Sequence, residues 1–142
     1  MQVEKQWKKP LPYVDQDMEP FWNALKRHEF RLFRCKVCKA WYFPPAFCRG
    51  DHNEPFFGNL EWAVASGKGK VFAAVVNHRA FHPGFKDDIP WCYAIIELDE
   101  GPLFPSNITD CDPYEVKIGM PVEVTFQDIT EKFTLPLFRL VK

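Results

Sequence analysis

Three cysteines in one short stretch are the residues whose types and spacing most clearly predict chemistry. Cys35 and Cys38 form a C-x-x-C pair, and Cys48 follows ten residues after the second of them. A C-x-x-C turn directs two sulfurs toward one point, and two such turns on a hairpin build a tetrahedral zinc site. Asp51 stands where the second turn would place its second ligand. The sequence therefore predicts a structural zinc site on Cys35, Cys38, Cys48 and Asp51.

His52, the residue after Asp51, is the alternative fourth ligand, because carboxylates are uncommon in structural zinc sites. A bound ion would supply free energy that so short a stretch cannot gain from apolar burial. The competing interpretation is a ribbon that has lost its metal and is held by the aromatic residues of 41–47. A catalytic zinc is disfavoured, since three thiolates make a poor Lewis acid and no base motif accompanies them.

Length and composition indicate one globular unit, or a small module appended to one, with a substantial core. The chain has 142 residues, of which 46% are hydrophobic and 16% aromatic. Thirteen prolines argue against a mostly helical protein. A formal net charge of -1 gives no overall attraction to nucleic acid or to an anionic membrane.

Positive charge is nevertheless concentrated between residues 26 and 49, where only Glu29 opposes it. We interpret this cluster as a solvated surface. The alternative is a binding site for an acidic partner or a phosphate-bearing ligand. The basic residues are Lys26, Arg27, Arg31, Arg34, Lys36, Lys39 and Arg49.

The cysteine count and the N-terminal residues predict reduced thiols in a cytoplasmic protein. The number of cysteines, five, is odd, and residues 1–10 are polar and charged. No membrane segment is expected, because that stretch lacks an apolar run long enough for a signal or a spanning helix. Cys111 is not favoured as a nucleophile, because no histidine neighbours it in the sequence.

The first 29 residues predict an extended arm followed by one amphipathic helix. Pro10 and Pro12 prevent a helix in residues 1–14, whose apolar side chains indicate that the arm lies along another surface. A helix over residues 17–28 is too short to be stable alone, so its apolar face must pack on something. The sequence leaves open whether that is the chain's own sheet or a partner protein. The candidate partner-binding residues on this face are Phe21, Trp22 and Leu25.

The rest of the chain predicts short strands. Residues 30–34 and 41–43 flank the first C-x-x-C turn, which gives a zinc-ribbon module over residues 30–59. From residue 60, strands follow one another with glycine or proline signals between them, the first two joined by a tight turn at GKGK, 67–70. The fold class is therefore mainly β. We expect residues 60–142 to form a five- to six-stranded Greek-key barrel of the OB type.

The order of motifs along the chain resembles the DUF35 family. The similarity runs from about residue 15 to the C-terminus and includes the helix, the C-x-x-C pair and Cys48. Two departures are a family cysteine replaced by Asp51 and a family glycine replaced by Lys39. The other matching motifs are FPP at 43–45, HRAFHPGF at 78–85, ELDEGP at 97–102, IGMPVEV at 118–124 and TLPLFR at 134–139.

This resemblance implies a zinc ribbon joined to an OB fold and a place in acyl-CoA metabolism. Family members bind and stabilise a thiolase-fold enzyme and help to form the channel for its acyl-CoA substrate. The related complexes cleave or form carbon–carbon bonds, or transfer acyl groups, with the catalytic residues on the partner. The resemblance thus implies a non-catalytic auxiliary subunit, in a heterotetramer with two copies of each chain.

The HRAFHPGF loop supplies the candidate residues for the channel. Arg79 suits a phosphate, while Phe81, His82 and Phe85 suit the wall around a pantetheine arm. Alternatively, the two phenylalanines close the mouth of the barrel and His82 caps a turn.

The alternative function is binding of single-stranded nucleic acid by the ribbon and the barrel. The many acidic residues after residue 60 argue against a basic groove there. A self-sufficient enzyme is also disfavoured, because none of the four histidines belongs to a recognisable triad or metal-binding pair.

Overall fold

The computed structural model of the protein describes residues 7–50 and 59–142. Asp51 and His52, the two candidates for the fourth metal ligand, lie outside these ranges. Within the described residues, no helix is both long enough and apolar enough to cross a membrane.

The described chain is mainly β, as the sequence predicts, with one α-helix near the N-terminus. Two 3-10 turns, Pro83–Phe85 and Pro113–Glu115, interrupt the connections between strands. In chain order the elements are α1 (Glu19–Lys26), β1 (Arg31–Cys35), β2 (Trp41–Tyr42), β3 (Leu60–Val64), β4 (Lys68–Asn77), β5 (Trp91–Leu98), β6 (Leu103–Thr109), β7 (Pro121–Asp128) and β8 (Thr134–Leu140).

Five strands close into a barrel in the order β4-β5-β6-β8-β7, with β4 pairing back to β7. All of these pairs are antiparallel except β6 with β8, which run parallel at Ile108 and Phe138. This order is a Greek-key barrel of the OB type, which confirms the predicted architecture. Alternate residues of the strands fill its interior, among them Val71, Ile96 and Phe104.

The first strand assigned to the barrel belongs instead to a three-stranded ribbon sheet, in the order β2-β1-β3. The expected hairpin between β3 and β4 is wrong, because Leu60–Val64 pairs with β1 and the barrel begins at Lys68. Three of the four GKGK residues belong to β4, and the second glycine of the motif has a steric role. Gly69 lies between Leu98 of β5 and Val122 of β7, and a Cβ there would lie 2.5 Å from the carbonyl oxygen of Glu97.

Helix α1 is shorter than the predicted 17–28 and packs against the protein's own core. Phe21 is 2% exposed and Leu25 is fully buried, so the structure removes both from the surface that a partner could contact. Only Trp22 of the three candidates stays partly exposed, and its ring meets Phe133 edge to face at 5.8 Å. The partner-binding role predicted for Phe21 and Leu25 is therefore corrected to core packing.

Phe21 joins the three parts of the molecule. Its ring lies 6.5 Å from that of Phe30 and 6.2 Å from that of Trp62 in the ribbon sheet region, and 6.3 Å from that of Phe104 in the barrel. The ribbon and helix together offer little core of their own, and the barrel supplies the remaining apolar surface.

A polar cluster fixes the end of the helix to the barrel. His28 leaves the helix with a positive φ of 59° and stacks on Phe126 at 5.1 Å. Its Nε2 lies 2.9 Å from Asp128 Oδ1, which also accepts a 2.5 Å hydrogen bond from the Thr134 hydroxyl. The hydrogen bond from Thr134 is the main cause that holds the pKa of the Asp128 carboxyl below its usual range, and the contact with His28 adds to it.

We predict that Asp128→Ala lowers the free energy of unfolding by about 1–3 kcal/mol at neutral pH, because the buried Thr134 hydroxyl loses its acceptor. A carboxyl with a depressed folded-state pKa stabilises the fold above its unfolded-state pKa and loses that effect as pH falls through the folded-state pKa. The difference from wild type should therefore shrink below roughly pH 4. Urea unfolding across pH measures it. Asp87→Ala, which removes an exposed carboxylate, is the control, and an equal loss in both variants would contradict the prediction.

Candidate functional site

The three cysteines converge on one point. The sulfurs of Cys35, Cys38 and Cys48 all lie within 4.8 Å of one another, and those of Cys38 and Cys48 are 3.4 Å apart. Zinc–sulfur bonds of about 2.3 Å in a tetrahedron place sulfurs about 3.8 Å apart. The cluster can therefore hold a metal ion with small adjustments of the side chains.

The backbone turn after β1 positions the first two cysteines. Cys35 ends the strand, its N–H donates to the Ala40 carbonyl at 2.9 Å, and its carbonyl accepts from Lys39 N–H at 3.0 Å. Lys39 closes this turn with a φ of 63°, a left-handed conformation that costs a non-glycine residue about 1–2 kcal/mol. That conformation explains why a glycine suits the position that Lys39 occupies.

Donors aimed at the sulfurs prepare the cluster for a cation. Val37 N–H points at the Cys35 sulfur at 3.4 Å, and Gly50 N–H points at the Cys48 sulfur at 3.3 Å. The Tyr42 hydroxyl adds a contact to Cys48 at 3.6 Å while accepting a hydrogen bond from Arg49 N–H at 2.8 Å. Tyr42 was not a candidate in the sequence, where nothing distinguishes it from the other aromatic residues of the ribbon.

These donors favour the thiolate form at two of the three cysteines. The Gly50 N–H is the main cause that lowers the pKa of Cys48 to about 7. The backbone N–H of Cys38 is the main cause that lowers the pKa of Cys35 from its usual value. The pKa of Cys38 is raised, because the neighbouring Cys48 thiol and burial outweigh the Ala40 N–H that would lower it. Metal ligation requires thiolates, so this donor set fits a cation.

A second feature is a groove beneath the N-terminal arm, with a volume of about 510 Å³. The arm covers one side, helix α1 and Phe43 form another, and strands β6 and β8 form the floor. The arm lies along another surface of the same chain, and the apolar side chains of residues 1–14 had indicated such a contact without identifying the surface. Lys9 of the arm pairs with Asp88 at 2.6 Å and lies over the rings of Trp7 and Phe85.

The structure separates the four channel candidates. Phe85 lines the groove and packs on Trp91 at 5.2 Å. His82 Nδ1 accepts a hydrogen bond from Gly84 N–H at 3.0 Å and so caps the 3-10 turn. Arg79 and Phe81 stand together away from the groove lining, with the guanidinium 5.4 Å from the ring centre and Phe81 76% exposed.

Two other histidines also contact protein groups. His28 pairs with Asp128, and His78 Nε2 lies 3.0 Å from the Tyr114 hydroxyl. Neither these two nor His82 is joined to a cysteine or serine among the contacts of the described residues.

The outer face of β4 and β5 carries exposed apolar side chains that the sequence analysis did not identify. Val75 and Tyr93 are directly paired across the two strands, and Phe72 stands at the irregularity in β4 between Val71 and Ala73. Val75 is 59% exposed and Phe72 50%. Their alternation with buried residues was visible in the sequence, but the side of the strand that faces inward was not.

Comparison with known proteins identifies the barrel domain and relatives that span most of the chain. The model of the ChsH2 C-terminal OB-fold domain matches residues 62–127. A DUF35 domain-containing scaffold protein of Methanocaldococcus jannaschii is 40% identical over 112 residues, which cover 78% of this chain and 77% of that protein.

Two further matches come from larger assemblies. The probable enoyl-CoA hydratase alpha subunit of Thermomonospora curvata is 32% identical over 92% of this chain, which spans only 40% of that protein. In the solved Ltp2-ChsH2(DUF35) aldolase, one chain matches with a TM-score of 0.78 and 31% identity, covering 92% of this chain and 98% of that one.

The chain belongs to the DUF35 family, as the three-cysteine cluster, the closed barrel and these matches together indicate.

Proposed function

We propose that this protein is an auxiliary subunit of a thiolase-like acyl-CoA enzyme, in which it stabilises the catalytic partner and helps to form the substrate channel. The observation that carries the proposal is the match to 98% of a chain from the solved Ltp2-ChsH2(DUF35) aldolase, which pairs a DUF35 component with a second component, Ltp2. The name of the Thermomonospora curvata relative, an enoyl-CoA hydratase alpha subunit, supports both an acyl-CoA substrate and a multisubunit enzyme.

The placement of the polar side chains supports catalytic residues on the partner. Three histidines are engaged with Asp128, Tyr114 and the turn at Gly84, and the cysteine cluster has the geometry of a structural metal site. By analogy with dimeric thiolase-fold enzymes, the assembly is a heterotetramer with two copies of each chain. Reduced thiols at the metal site fit a cytoplasmic location.

The exposed face of β4 and β5 is the surface that best fits the partner. Phe72, Val75 and Tyr93 form a patch that a single soluble chain has no structural need to expose. Aromatic side chains of this kind are enriched in the centre of protein interfaces. This face replaces the buried Phe21 and Leu25 as the partner-binding surface.

Zinc is the metal that we assign to the cysteine cluster, because three thiolates select zinc over harder cations. Cys35, Cys38 and Cys48 would bind it, with Asp51 or His52 as the fourth ligand. A bound zinc ion would cross-link the turn after β1 to the segment that follows β2 and so fix the ribbon.

The assembly prediction is that this chain and a thiolase-fold partner co-elute when expressed together. Val75→Glu should weaken their association about tenfold or more, because it places a charge in an apolar interface. Val64→Glu is the matched control, since Val64 is an equally exposed strand valine on the ribbon sheet. Separate elution of the unmodified chains would overturn the proposed function, and equal effects of the two variants would reject only the proposed surface.

For the metal, we expect about one zinc ion per chain in purified protein. Cys38→Ser should lose the ion and lower the melting temperature by roughly 10 °C, because the binding free energy of a structural zinc contributes to folding. Cys111→Ser is the control, since Cys111 lies outside the cluster. Elemental analysis and thermal unfolding measure both effects. Metal-free protein whose melting temperature does not respond to added zinc would contradict the assignment, and Asp51→Ala and His52→Ala identify the fourth ligand.

The channel prediction concerns Arg79, which we propose binds a phosphate of coenzyme A beside Phe81. In the assembled enzyme, Arg79→Ala should raise the KM for acyl-CoA roughly tenfold, because one charge-assisted hydrogen bond to the substrate is lost. The variant should leave kcat nearly unchanged. Lys86→Ala removes another exposed cation of the same loop and should have little effect. Steady-state kinetics decide the matter, and an unchanged KM in Arg79→Ala would remove this residue from the channel.

A further inference from the structure

Tyr42 is a buried tyrosine of the ribbon whose hydroxyl reaches the cysteine cluster. Its side chain belongs to strand β2, and Tyr42 is paired directly with Phe33 of strand β1. Strand β1 ends at Cys35, so Tyr42 is fixed to the same hairpin as the first two cysteines. The ring gains by burial in so small a sheet, but a buried hydroxyl also needs hydrogen-bond partners.

Both partners of the Tyr42 hydroxyl belong to the segment that carries the third cysteine. The oxygen accepts a hydrogen bond from the Arg49 N–H at 2.8 Å, and the O–H donates to the Cys48 sulfur at 3.6 Å. A hydroxyl has only one proton, and acceptance from Arg49 leaves that proton for the sulfur. Within the described ranges, this hydroxyl has no third hydrogen-bond partner. The proton is therefore committed to Cys48.

Arg49 holds the ring of Tyr42 as well as its hydroxyl. The guanidinium carbon lies 5.0 Å from the centre of the ring, a distance that suits a cation–π contact. Because Arg49 directly follows Cys48, its backbone and its side chain both tie this segment to the tyrosine. Tyr42 thus connects the third cysteine to the hairpin of the first two through contacts that need no metal ion.

The Cys48 sulfur receives two donors from different parts of the ribbon. Gly50 N–H points at it from 3.3 Å, and the Tyr42 hydroxyl approaches from strand β2. A thiolate that binds a metal ion keeps lone pairs, and donors to those lone pairs orient the ligand and tune the metal. A phenylalanine would fill the same space as Tyr42 but would bring no donor.

We infer that Tyr42 is a positioning residue of the metal site, which holds Cys48 in place before an ion binds and donates to its thiolate afterwards. The inference rests on the zinc assignment in the proposed function and deepens it. A ligand that is already in place loses less conformational freedom when the ion binds, so the hydroxyl raises affinity without contacting the ion.

Tyr42→Phe tests this role, because it removes the hydroxyl and keeps the ring. In competition titrations of the full chain against a zinc chelator, the variant should bind zinc about tenfold more weakly, the lower end of the usual effect of such outer partners. Tyr114→Phe is the matched control. It removes the hydroxyl of an exposed tyrosine that contacts His78, and it should change the affinity less than about twofold.

The titration separates the inference from the assignment on which it rests. Equal zinc affinity in the unmodified chain and in Tyr42→Phe would overturn the inference and leave the zinc assignment standing. An unmodified chain that binds no zinc would reject the assignment, and the inference would fall with it.

Cobalt(II) in place of zinc reports on the sulfur itself, through the charge-transfer absorption from thiolate to metal. Without the O–H donor the Cys48 thiolate is more electron-rich, so the band of Tyr42→Phe should lie at longer wavelength than that of the unmodified chain. Tyr114→Phe should leave the band in place. An unmoved band in Tyr42→Phe would contradict donation to the bound thiolate and overturn the inference.

Thermal unfolding distinguishes positioning from a contribution to folding alone. Tyr42→Phe should lower the melting temperature of the zinc-loaded protein more than that of the metal-free protein, because weaker binding subtracts only from the stability of the loaded form. Equal decreases in the two forms, with unchanged zinc affinity, would assign the hydroxyl to folding and overturn the inference.

Discussion

The packing of the Phe21 ring between ribbon and barrel is the interaction on which the rest of the structure depends. Phe21 contacts rings from the ribbon region and the barrel, and Phe30 meets Phe104 and Phe138 edge to face at 5.2 and 6.1 Å. Each aromatic pair contributes about 0.5–1.5 kcal/mol beyond area burial, and the loss of one such ring to alanine costs about 3–5 kcal/mol. That is comparable to half the stability of a small domain. An eight-residue helix and a three-stranded sheet, neither stable alone, are thereby held on a closed barrel.

The metal site and the groove are connected through the same aromatic junction. Phe43 directly follows strand β2, which carries Tyr42 against Cys48, and its own ring lies 4.6 Å from that of Phe104 at the groove. A bound ion that fixes the ribbon would therefore also fix one wall of the groove, although it lies in a different part of the molecule. The basic residues between 26 and 49 have separate contacts: Lys26 donates to the Thr130 carbonyl, Arg31 pairs with Glu29 and Arg34 pairs with Glu61.

Local patterns predicted most of the fold and the three cysteines of the site. Strands β1 and β2 lie within one residue of the predicted 30–34 and 41–43, and the C-x-x-C turn places its sulfurs beside Cys48, because these features are set by residues close in sequence. The errors concern choices that periodicity leaves undetermined. An amphipathic helix shows that one face is buried but not against what, so Phe21 and Leu25 were partner candidates although they pack on their own barrel. Likewise, the alternation in Leu60–Val64 predicts a strand but not its partner, which proved to be β1. The positive φ of Lys39 was indicated only by the family glycine that this residue replaces.

The HRAFHPGF loop shows how a motif associated with ligand binding can also have a structural role. Gly84 lacks a Cβ at a point where one would lie 2.5 Å from the carbonyl oxygen of Lys8, so any other residue would push the arm away. His82 holds the turn that presents Gly84, and Asp88 anchors Lys9. The second half of the motif therefore seats the arm over the barrel, whereas Arg79 and Phe81 in its first half stay exposed and free to meet a ligand. Because residues of the seated arm line the groove, His82 contributes to the shape of the groove through the arm's position, although its own side chain is not part of the lining.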